Sequence, residues 1–354
     1  MAQPVEHEPG THYRYSTPST YMLSAIVERV SGMNLVEFLM PTLFEPLGIG
    51  RPVWETCPLG VAAGGIGLSL PTGAVAKFGQ MLLQNGGYAG RRIVSADYIR
   101  LAAAEQSDNR EGVNPERIDS AQGYGYQFHL CRFGAYRGDG SFGQLCLVSP
   151  KHDLVAAANC AFPSMSGLQP LLDWIFELAG EKDANTAASS RLWTAAAPEP
   201  PRASPAESVR SASDSAAREV CAGAGPLPFQ TDTTYKLDDN PVGLRFVRFR
   251  SSPGNRPELH LDYGDERSGT LPFDPARPLE SRSVFAKDLS LHLQSVVISA
   301  RRPDESTLEL TLRYIETPYV VIYTIRSQGD IIVFRYDINV SFGFKHYESI
   351  GYPV

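Results

Sequence analysis

A stretch of 46 residues in the middle of the chain, Glu181–Pro226, has a composition that cannot build a packed core. It contains 13 Ala, 7 Ser and 5 Pro, and its apolar residues show almost no periodicity. Such a segment buries too little apolar surface to offset the entropy lost when a chain becomes ordered. We therefore predict a flexible linker over residues 181–226, a first domain over residues 1–180 and a second domain over residues 227–354.

Before this linker, the apolar residues recur mainly at helical spacing. Between Thr20 and Leu47 they predict two amphipathic helices with a break at Ser31–Gly32, and their apolar side chains are expected to lie in the core. Helices, then strands, then a packing helix indicate an α/β (α+β) layered domain. The further helices are predicted at Thr72–Asn85, after Ser95 and at Leu168–Leu178, and the strands at Tyr124–Cys131, Gly134–Arg137, Gln144–Val148 and Leu154–Cys160.

After the linker the apolar period changes to two. Leu308, Leu310 and Leu312 alternate with polar residues, and Val320–Ile325 is joined to Ile331–Tyr336 by a short turn. Such alternation is typical of antiparallel strands with one buried face. We predict an all-β antiparallel barrel or sandwich of six to eight strands.

Composition and charge exclude several classes of function. A net charge of −7 argues against a nucleic-acid partner, because affinity for a phosphate backbone comes mainly from excess Lys and Arg. No window of eighteen apolar residues is present, and the N-terminus lacks the pattern of a signal peptide, so we expect no membrane contact and a cytoplasmic location for the chain as written. Five cysteines without C-x-x-C spacing suggest reduced thiols, and we expect neither a metal nor a cofactor.

Generic catalytic signatures are absent from the sequence. It has no G-x-S-x-G elbow, H-E-x-x-H motif or phosphate-binding loop with its lysine. The seven histidines are scattered, and we expect each to be solvated or hydrogen-bonded at the surface.

The segment Pro9–Gly32, followed by Phe38–Gly48, carries a more specific pattern. It resembles the segment with the second catalytic motif of the serine β-lactamase-like hydrolases, which include class C β-lactamases, D-alanyl-D-alanine carboxypeptidases and related esterases. In that family a Tyr-Ser-Asn sequence places a Tyr and an Asn at the rim of the active site. Here Tyr15, Ser16 and Thr17 stand at these positions, with Thr in place of Asn.

Three further blocks resemble the same family in order and spacing: Gly64–Gly79, Gly123–Phe128 and Tyr136–Val155. The resemblance covers about residues 4–180, and the region from Leu227 resembles the β-rich C-terminal domain of one branch of the family. It implies a partial β-lactamase/transpeptidase-like fold and hydrolysis of a small-molecule ester or amide. Asp139, Gly140 and Ser141 occupy the position of the third catalytic motif, so the implied site comprises Tyr15, Thr17, Asp139, Gly140 and Ser141.

One departure from the family concerns the nucleophile. These hydrolases attack with a Ser whose Lys lies three residues later, one helical turn on, so that the amine can accept the hydroxyl proton. None of the six lysines fits, because the residues three before them are Ala74, Val148, Ala179, Thr233, Val284 and Phe342. We therefore expect a hydrolase fragment that is inactive as given. Two hypotheses follow: a true hydrolase whose start codon lies upstream, or a non-catalytic binding or interaction protein that uses the β-rich domain.

The rest of the implied site is also altered. Tyr15 could relay a proton if neighbouring cations lowered its pKa, whereas Thr17 donates one hydrogen bond where an Asn amide donates two. Asp139 places an anion where relatives carry a cation, which argues against carboxylate substrates. Arg137 lies on the same face of the strand as Asp139, and whether it points inward is open.

Simpler readings exist for several of these residues. Tyr15 could be an ordinary aromatic residue packed before a helix, and Ser107-Asp108-Asn109, which spells a class A β-lactamase motif, fits a turn after a helix better. Ser16 and Ser141 have no neighbouring Lys or His to activate them. Missing family elements would leave apolar sheet surface exposed, which predicts self-association.

Overall fold

The computed structural model describes residues 6–8, 10–181, 228–229, 232–251, 256–287 and 289–354. The chain divides into two compact units, Met1–Pro198 and Glu199–Val354. Apart from Glu181, the predicted linker lies outside the described residues, so its flexibility and the exact domain limits stay predictions. In the described part no helix is both long and apolar enough to cross a bilayer, and the longest has 15 residues.

The first unit begins with helix α1 (Thr17–Ser31), whose ends follow from local sequence. The Ser16 hydroxyl accepts a hydrogen bond from the Ser19 backbone N–H at 3.3 Å, which satisfies one free donor of the first turn. Gly32, at a φ of 69°, ends the helix. After this break come α2 (Leu35–Leu39) and a π-helical turn (Met40–Phe44), which confirms the predicted pair of helices.

The apolar residues of α1 do not form the core that their spacing predicts. Ser24 is the one fully buried residue of this helix, whereas Met22, Ile26 and Val30 are exposed, Val30 to 82%. These three side chains lie four residues apart and line one exposed stripe. Helical spacing identifies an apolar face, but it does not show whether another element covers that face.

Two further helices follow in the first unit, α3 (Thr72–Leu83) and α4 (Ala96–Ala102). Helix α4 is capped as expected, because the Ser95 hydroxyl accepts a hydrogen bond from the Tyr98 N–H at 3.2 Å. Two short antiparallel pairs accompany these helices: β1 (Val53–Trp54) with β2 (Leu68–Ser69), and β3 (Gly87–Tyr88) with β4 (Arg91–Arg92).

A four-stranded antiparallel sheet lies between two hydrophobic clusters. Successive side chains of its third strand, β7, point alternately into the two clusters. Cys146 and Val148 pack with Met81 of α3 in the first cluster, whereas Leu145 and Leu147 pack in the second. That second cluster is formed with α5 (Leu168–Leu178), which has the predicted limits. The strands, in their order in the sheet, are β5 (His129–Leu130), β6 (Tyr136–Gly140), β7 (Gln144–Ser149) and β8 (Leu154–Ala158).

Strand β5 is shorter than the predicted strand Tyr124–Cys131. Gln127 has a φ of 67°, and the Gly125 N–H donates to the Phe128 carbonyl at 2.8 Å, so this segment turns instead of extending. The Tyr126 N–H donates to the Ala102 carbonyl at 2.9 Å, which holds the turn against the end of α4. A tertiary contact therefore overrides the local strand preference.

The second unit is a ten-stranded antiparallel sheet, which confirms the predicted barrel-like class with more strands than the sequence indicates. The strands follow one another around the sheet, β18 pairs with β9, and the two edge strands β12 and β13 contact each other, so the barrel is nearly closed. The strands are β9 (Thr234–Leu237), β10 (Phe246–Ser251), β11 (Pro257–Asp262), β12 (Gly269–Pro272), β13 (Leu279–Ala286), β14 (Leu291–Asp304), β15 (Thr307–Tyr314), β16 (Val320–Gln328), β17 (Ile331–Ile338) and β18 (His346–Pro353).

Alternation along the strands places one set of side chains inside this barrel. Leu308, Leu310 and Leu312 of β15 are buried, as their period of two predicts. Because consecutive strands run in opposite directions, every second connection lies at the same end. We call this the loop end; it comprises residues 238–245, 263–268, 287–290, 315–319 and 339–345.

Candidate functional site

Four aromatic side chains of the first unit pack together beside the start of α1. The ring of Tyr15 stacks on His129 with centroids 6.2 Å apart, and His129 meets Tyr124 edge-on at 4.9 Å. Tyr13 packs against the other side of this group, 4.9 Å from Tyr124. We call these residues the Tyr15 cluster. Tyr15 itself is 60% exposed, so the cluster is open to solvent on one side.

The strand of the third sequence block reaches the same place. His129 of β5 pairs with Arg137 of β6, and Asp139 follows two residues later on the same face. Burial raises the pKa of Tyr13, Tyr15 and Tyr124, and the charge of Asp139 adds to the shift of each. The structure thus brings Tyr15 and Asp139 together, although they lie in blocks far apart in the chain.

Arg137 points into the core, which answers the question left open by the sequence. It is 1% exposed, and its Nη1 donates to the Asp119 carbonyl at 2.6 Å. Its Nε donates to Asp139 Oδ2 at 2.8 Å. The guanidinium is therefore engaged with Asp119 and Asp139 and is not presented to solvent as a substrate-binding cation.

The contacts of Thr17 and Ser141 lie elsewhere. Gly65 approaches so closely that a Cβ built on it would stand 3.0 Å from Thr17 Cγ2, so Thr17 packs against the glycine-rich turn. Ser141 lies in the β6–β7 hairpin turn, where its carbonyl accepts a hydrogen bond from Gln144 Nε2 at 3.2 Å and the Gly140 carbonyl accepts one from Gly143 N at 3.0 Å. A catalytic role for Thr17, Gly140 and Ser141 stays a prediction.

The phenols of the cluster are harder to ionise than free tyrosine. Burial, aided by Asp139, raises the pKa of Tyr13 to about 12 and also raises the pKa of Tyr15. The lowered pKa that a proton relay through Tyr15 would need is therefore not present. The physical reason is that burial disfavours the charged phenolate, and the nearby Asp139 carboxylate adds to this effect although it is ion-paired with Arg137.

His129 is a member of the site that the sequence analysis missed. Burial, together with the cations Arg137 and Arg117, lowers its pKa to about 4, so the imidazole is neutral at physiological pH. Its Nδ1 is buried and has no hydrogen-bond partner in the described part of the chain. The expectation of a solvated or hydrogen-bonded surface histidine is wrong here. The sequence offered one indication that His129 belongs to the site, because it directly follows the Gly123–Phe128 block.

Comparison with known proteins identifies the first unit. The family model described as Beta-lactamase matches residues 1–165. Residues 1–165 are thus similar to the β-lactamase family. A curated relative, the 6-aminohexanoate-dimer hydrolase of Paenarthrobacter ureafaciens, is 31% identical over 159 residues, which cover 43% of this chain and 40% of the relative. The chain thus spans less than half the length of the curated relative that it matches.

Two solved structures show weaker similarity. A β-lactamase of Mycobacterium bovis has 22% identity and a TM-score of 0.39, with 53% of this chain and 66% of that chain covered. The octameric penicillin-binding protein homologue of Pyrococcus abyssi has 14% identity and a TM-score of 0.39, with 97% of this chain and 66% of that chain covered.

A second constellation in the β-lactamase-like domain resembles a hydrolase triad. Ser149 Oγ lies 2.6 Å from His152 Nδ1, and His152 Nε2 lies 2.9 Å from Glu181 Oε1. However, Ser149 is fully buried at the end of β7, so no substrate can reach its hydroxyl. We interpret this chain of hydrogen bonds as structural, because it ties the residue after α5 back to the sheet.

The β-lactamase-like domain offers no obvious metal site in the part that the structure describes, where no group of three or more His, Cys, Asp or Glu side chains could hold an ion. Four cysteines are free thiols, namely Cys57, Cys131, Cys146 and Cys160. The fifth, Cys221, lies outside the described residues.

Proposed function

We propose that the first unit is a serine-hydrolase domain of esterase, amidase or peptidase type, which binds small ester or amide molecules at the Tyr15 cluster but forms no acyl-enzyme as the chain stands. The observation that carries this proposal is the convergence of Tyr15 and Asp139 from two separate family blocks. The similarity of residues 1–165 to the β-lactamase family supports it.

The lack of turnover follows from the chemistry of the nucleophile. A serine hydroxyl attacks an acyl carbon only when a base accepts its proton, and no lysine of this chain has a serine three residues before it. Ser16 beside the cluster is the helix cap and accepts a hydrogen bond from the Ser19 hydroxyl at 2.9 Å. Ser141, at the hairpin tip, is exposed, and its neighbours in sequence include no Lys or His; Asp139, two residues before it, is ion-paired with Arg137.

The proposed binding of substrate rests mainly on the exposed Tyr15. The neutral phenol of Tyr15 donates a hydrogen bond to an ester or amide carbonyl. The Asp139 carboxylate lies near the same rings and is ion-paired with Arg137, so no free cation of this pair is left to bind an anionic substrate. The name of the curated relative adds the 6-aminohexanoate dimer as a test molecule.

Covalent chemistry is tested on the purified 354-residue chain with a fluorophosphonate probe and with p-nitrophenyl acetate. We expect no burst of nitrophenol and an unchanged intact mass. A stoichiometric burst with an adduct on a serine would show that the chain is catalytic. Ser16→Ala and Ser141→Ala variants would then show whether either residue is the nucleophile.

Binding is tested separately by titration with the 6-aminohexanoate dimer, observed through the His129 imidazole NMR signals. Saturable chemical-shift changes, with an affinity for the dimer that falls several-fold in Tyr15→Phe, support the proposed site. Tyr98→Phe is the matched control, because Tyr98 is also an exposed tyrosine but lies on α4. Shifts that are absent, or that respond equally to both substitutions, would remove the support for binding at this cluster.

A further inference from the structure

Five tyrosines meet inside the barrel near its loop end. Three of them are direct neighbours across adjacent strands, since Tyr323 pairs with Tyr336 and Tyr336 pairs with Tyr347. Tyr263 follows β11, on the opposite side of the barrel, and its hydroxyl is electrostatically coupled to those of Tyr336 and Tyr347. We call the group the barrel tyrosines: Tyr263, Tyr314, Tyr323, Tyr336 and Tyr347.

The rings of this group pack against one another and against neighbouring aromatic side chains, and the Tyr314 hydroxyl donates to Ser283 Oγ at 3.5 Å. Tyr336 and Tyr347 stack with centroids 5.2 Å apart, and Tyr314 stacks on Phe285 at 4.4 Å. Electrostatic coupling joins Tyr263 to Tyr314, Tyr336 and Tyr347. Burial raises the pKa of these hydroxyls, so all remain neutral donors at physiological pH.

Three polar atoms at this end are buried without a partner among the described residues. The first is Thr317 Oγ1, in the loop after β15. The second is the hydroxyl of Tyr347, a residue that is 7% exposed. The third is Oε1 of the fully buried Gln294, whose Nε2 donates to the carbonyls of Phe285 and Ala286 at 2.9 and 3.1 Å. Buried polar groups in folded proteins nearly always have a hydrogen-bond partner, so a donor and an acceptor left open at the same end of the barrel point to a ligand.

The width of the barrel allows such a ligand. Eight strands already enclose an interior that is either just filled by side chains or holds one small molecule, and the diameter grows with the number of strands. This barrel has ten strands.

Apolar side chains surround the entrance. Ile315 in the loop after β15 is 67% exposed, and Phe344 in the loop after β17 is also exposed. Phe344 connects the rim to the interior, because its ring lies 5.8 Å from Tyr336 and 6.0 Å from Tyr347. Exposed apolar side chains around a mouth mark a surface that excludes water when occupied.

Two cations at this end are paired: Lys287 contacts Glu316 Oε2 at 3.1 Å, and Arg267 forms an ion pair with Asp265. Lys345, in the loop after β17, is exposed to solvent. The buried atoms that are open to a ligand, on Tyr347 and Gln294, are both neutral, and burying a carboxylate beside them without a paired cation is costly, so an uncharged head fits them best.

We propose that the loop end of the barrel binds an uncharged amphipathic small molecule, whose carbonyl, amide or hydroxyl head bonds to Tyr347 and Gln294 and whose apolar part lies against Phe344 and Ile315. The site lies within the second unit and does not depend on the hydrolase proposal. The head accepts a hydrogen bond from the tyrosine hydroxyl, and an amide or hydroxyl head also donates one to the glutamine oxygen.

The experiment measures displacement of the neutral fluorescent probe N-phenyl-1-naphthylamine from the full chain by decanamide, decanol and decanoate. We expect saturable probe binding, displacement by decanamide and decanol, and displacement by decanoate at least tenfold weaker. Tyr347→Phe should lower the affinity for decanamide about tenfold, since one net hydrogen bond is worth about 1.4 kcal/mol. Tyr352→Phe is the matched control, because this exposed tyrosine is on the same strand.

Three results would overturn the proposal. The first is the absence of saturable probe binding, which would make the barrel tyrosines a packed polar core. The second is equal decanamide affinity in Tyr347→Phe and Tyr352→Phe. The third is loss of probe binding in Ile26→Ser, which would place the probe on the exposed stripe of α1. If Tyr347→Phe does not fold, Ile315→Asp on the exposed rim replaces it and should lower probe affinity several-fold.

Discussion

Replacement of Asp119 by Asn tests whether a buried ionic network holds the first unit together. Asp119 is fully buried in the short 3-10 turn Ile118–Ser120. Its Oδ1 accepts from the Arg132 N–H at 2.8 Å, and its Oδ2 accepts from Arg132 Nη2 at 2.8 Å and from Gln169 Nε2 at 2.7 Å. Arg132 and Gln169 also bond to Asp173 of α5, so the network joins the turn, the sheet and α5.

The expected cost of Asp119→Asn is about 3–5 kcal/mol in the free energy of unfolding, the usual range when one partner of a buried ion pair is removed. Asn keeps the volume but removes the negative charge. Its amide NH2 would also face the donors of Arg132 or Gln169, so at least one of these hydrogen bonds is lost and a buried donor is left unsatisfied.

Tryptophan fluorescence reports this change for the first unit alone. The three tryptophans, Trp54, Trp174 and Trp193, all precede residue 199, where the second unit begins. Trp174 is next to Asp173 on α5, within the element that the network holds. Urea unfolding of the full chain followed at this signal gives the change in the free energy of unfolding.

Asp97→Asn is the matched control, because Asp97 pairs with Arg100 at the surface and should cost less than about 1 kcal/mol. If both variants shift the unfolding free energy equally, within about 0.5 kcal/mol, the buried network does not stabilise the domain and the argument is wrong.

Three further predictions concern the first unit. Gly79→Ala should destabilise it by about 1–3 kcal/mol in the same urea assay, because a Cβ there would stand 2.6 Å from Val155 Cγ1. Gly73→Ala on the same helix is the control: a Cβ at Gly73 would have no heavy atom within 4 Å, so this change should be neutral or stabilising. His129 has a pKa of about 4 in the folded protein, below the ordinary histidine value of 6.5, so the unfolded state binds more protons between these two values. Stability should therefore fall as pH drops from about 6.5 to 4, and NMR titration should show no protonation of His129 near pH 6. Ser95→Ala removes the cap of α4 and should cost about 1 kcal/mol by thermal unfolding, and an unchanged melting temperature would contradict this role.

Much of the fold could be predicted where local signals agreed with burial. Helix α5 has the predicted limits, and the alternation of Leu308, Leu310 and Leu312 matches the buried face of β15. The number of strands in the second unit was underestimated, because β12 is only four residues long and β13 lacks clear alternation, so neither shows a strong period.

The site itself stays a prediction. The four collinear blocks indicated the family, and the structure places Tyr15 near Asp139, which does not test a catalytic role for either residue. His129 was missed because a lone histidine has no distinctive spacing, and its neutral state depends on burial beside Tyr15 and Tyr124.

The sequence by itself determined the caps of α1, the helix α5, the alternating strands after the linker and the family of the first unit, because these depend on neighbouring residues or on motif order. Only the tertiary structure decided that Arg137 points into the core, that Val30 is exposed and that the hydroxyl of Tyr347 is buried without a partner in the described chain. Periodicity shows which face of an element is apolar, whereas what covers that face depends on packing between residues distant in the chain.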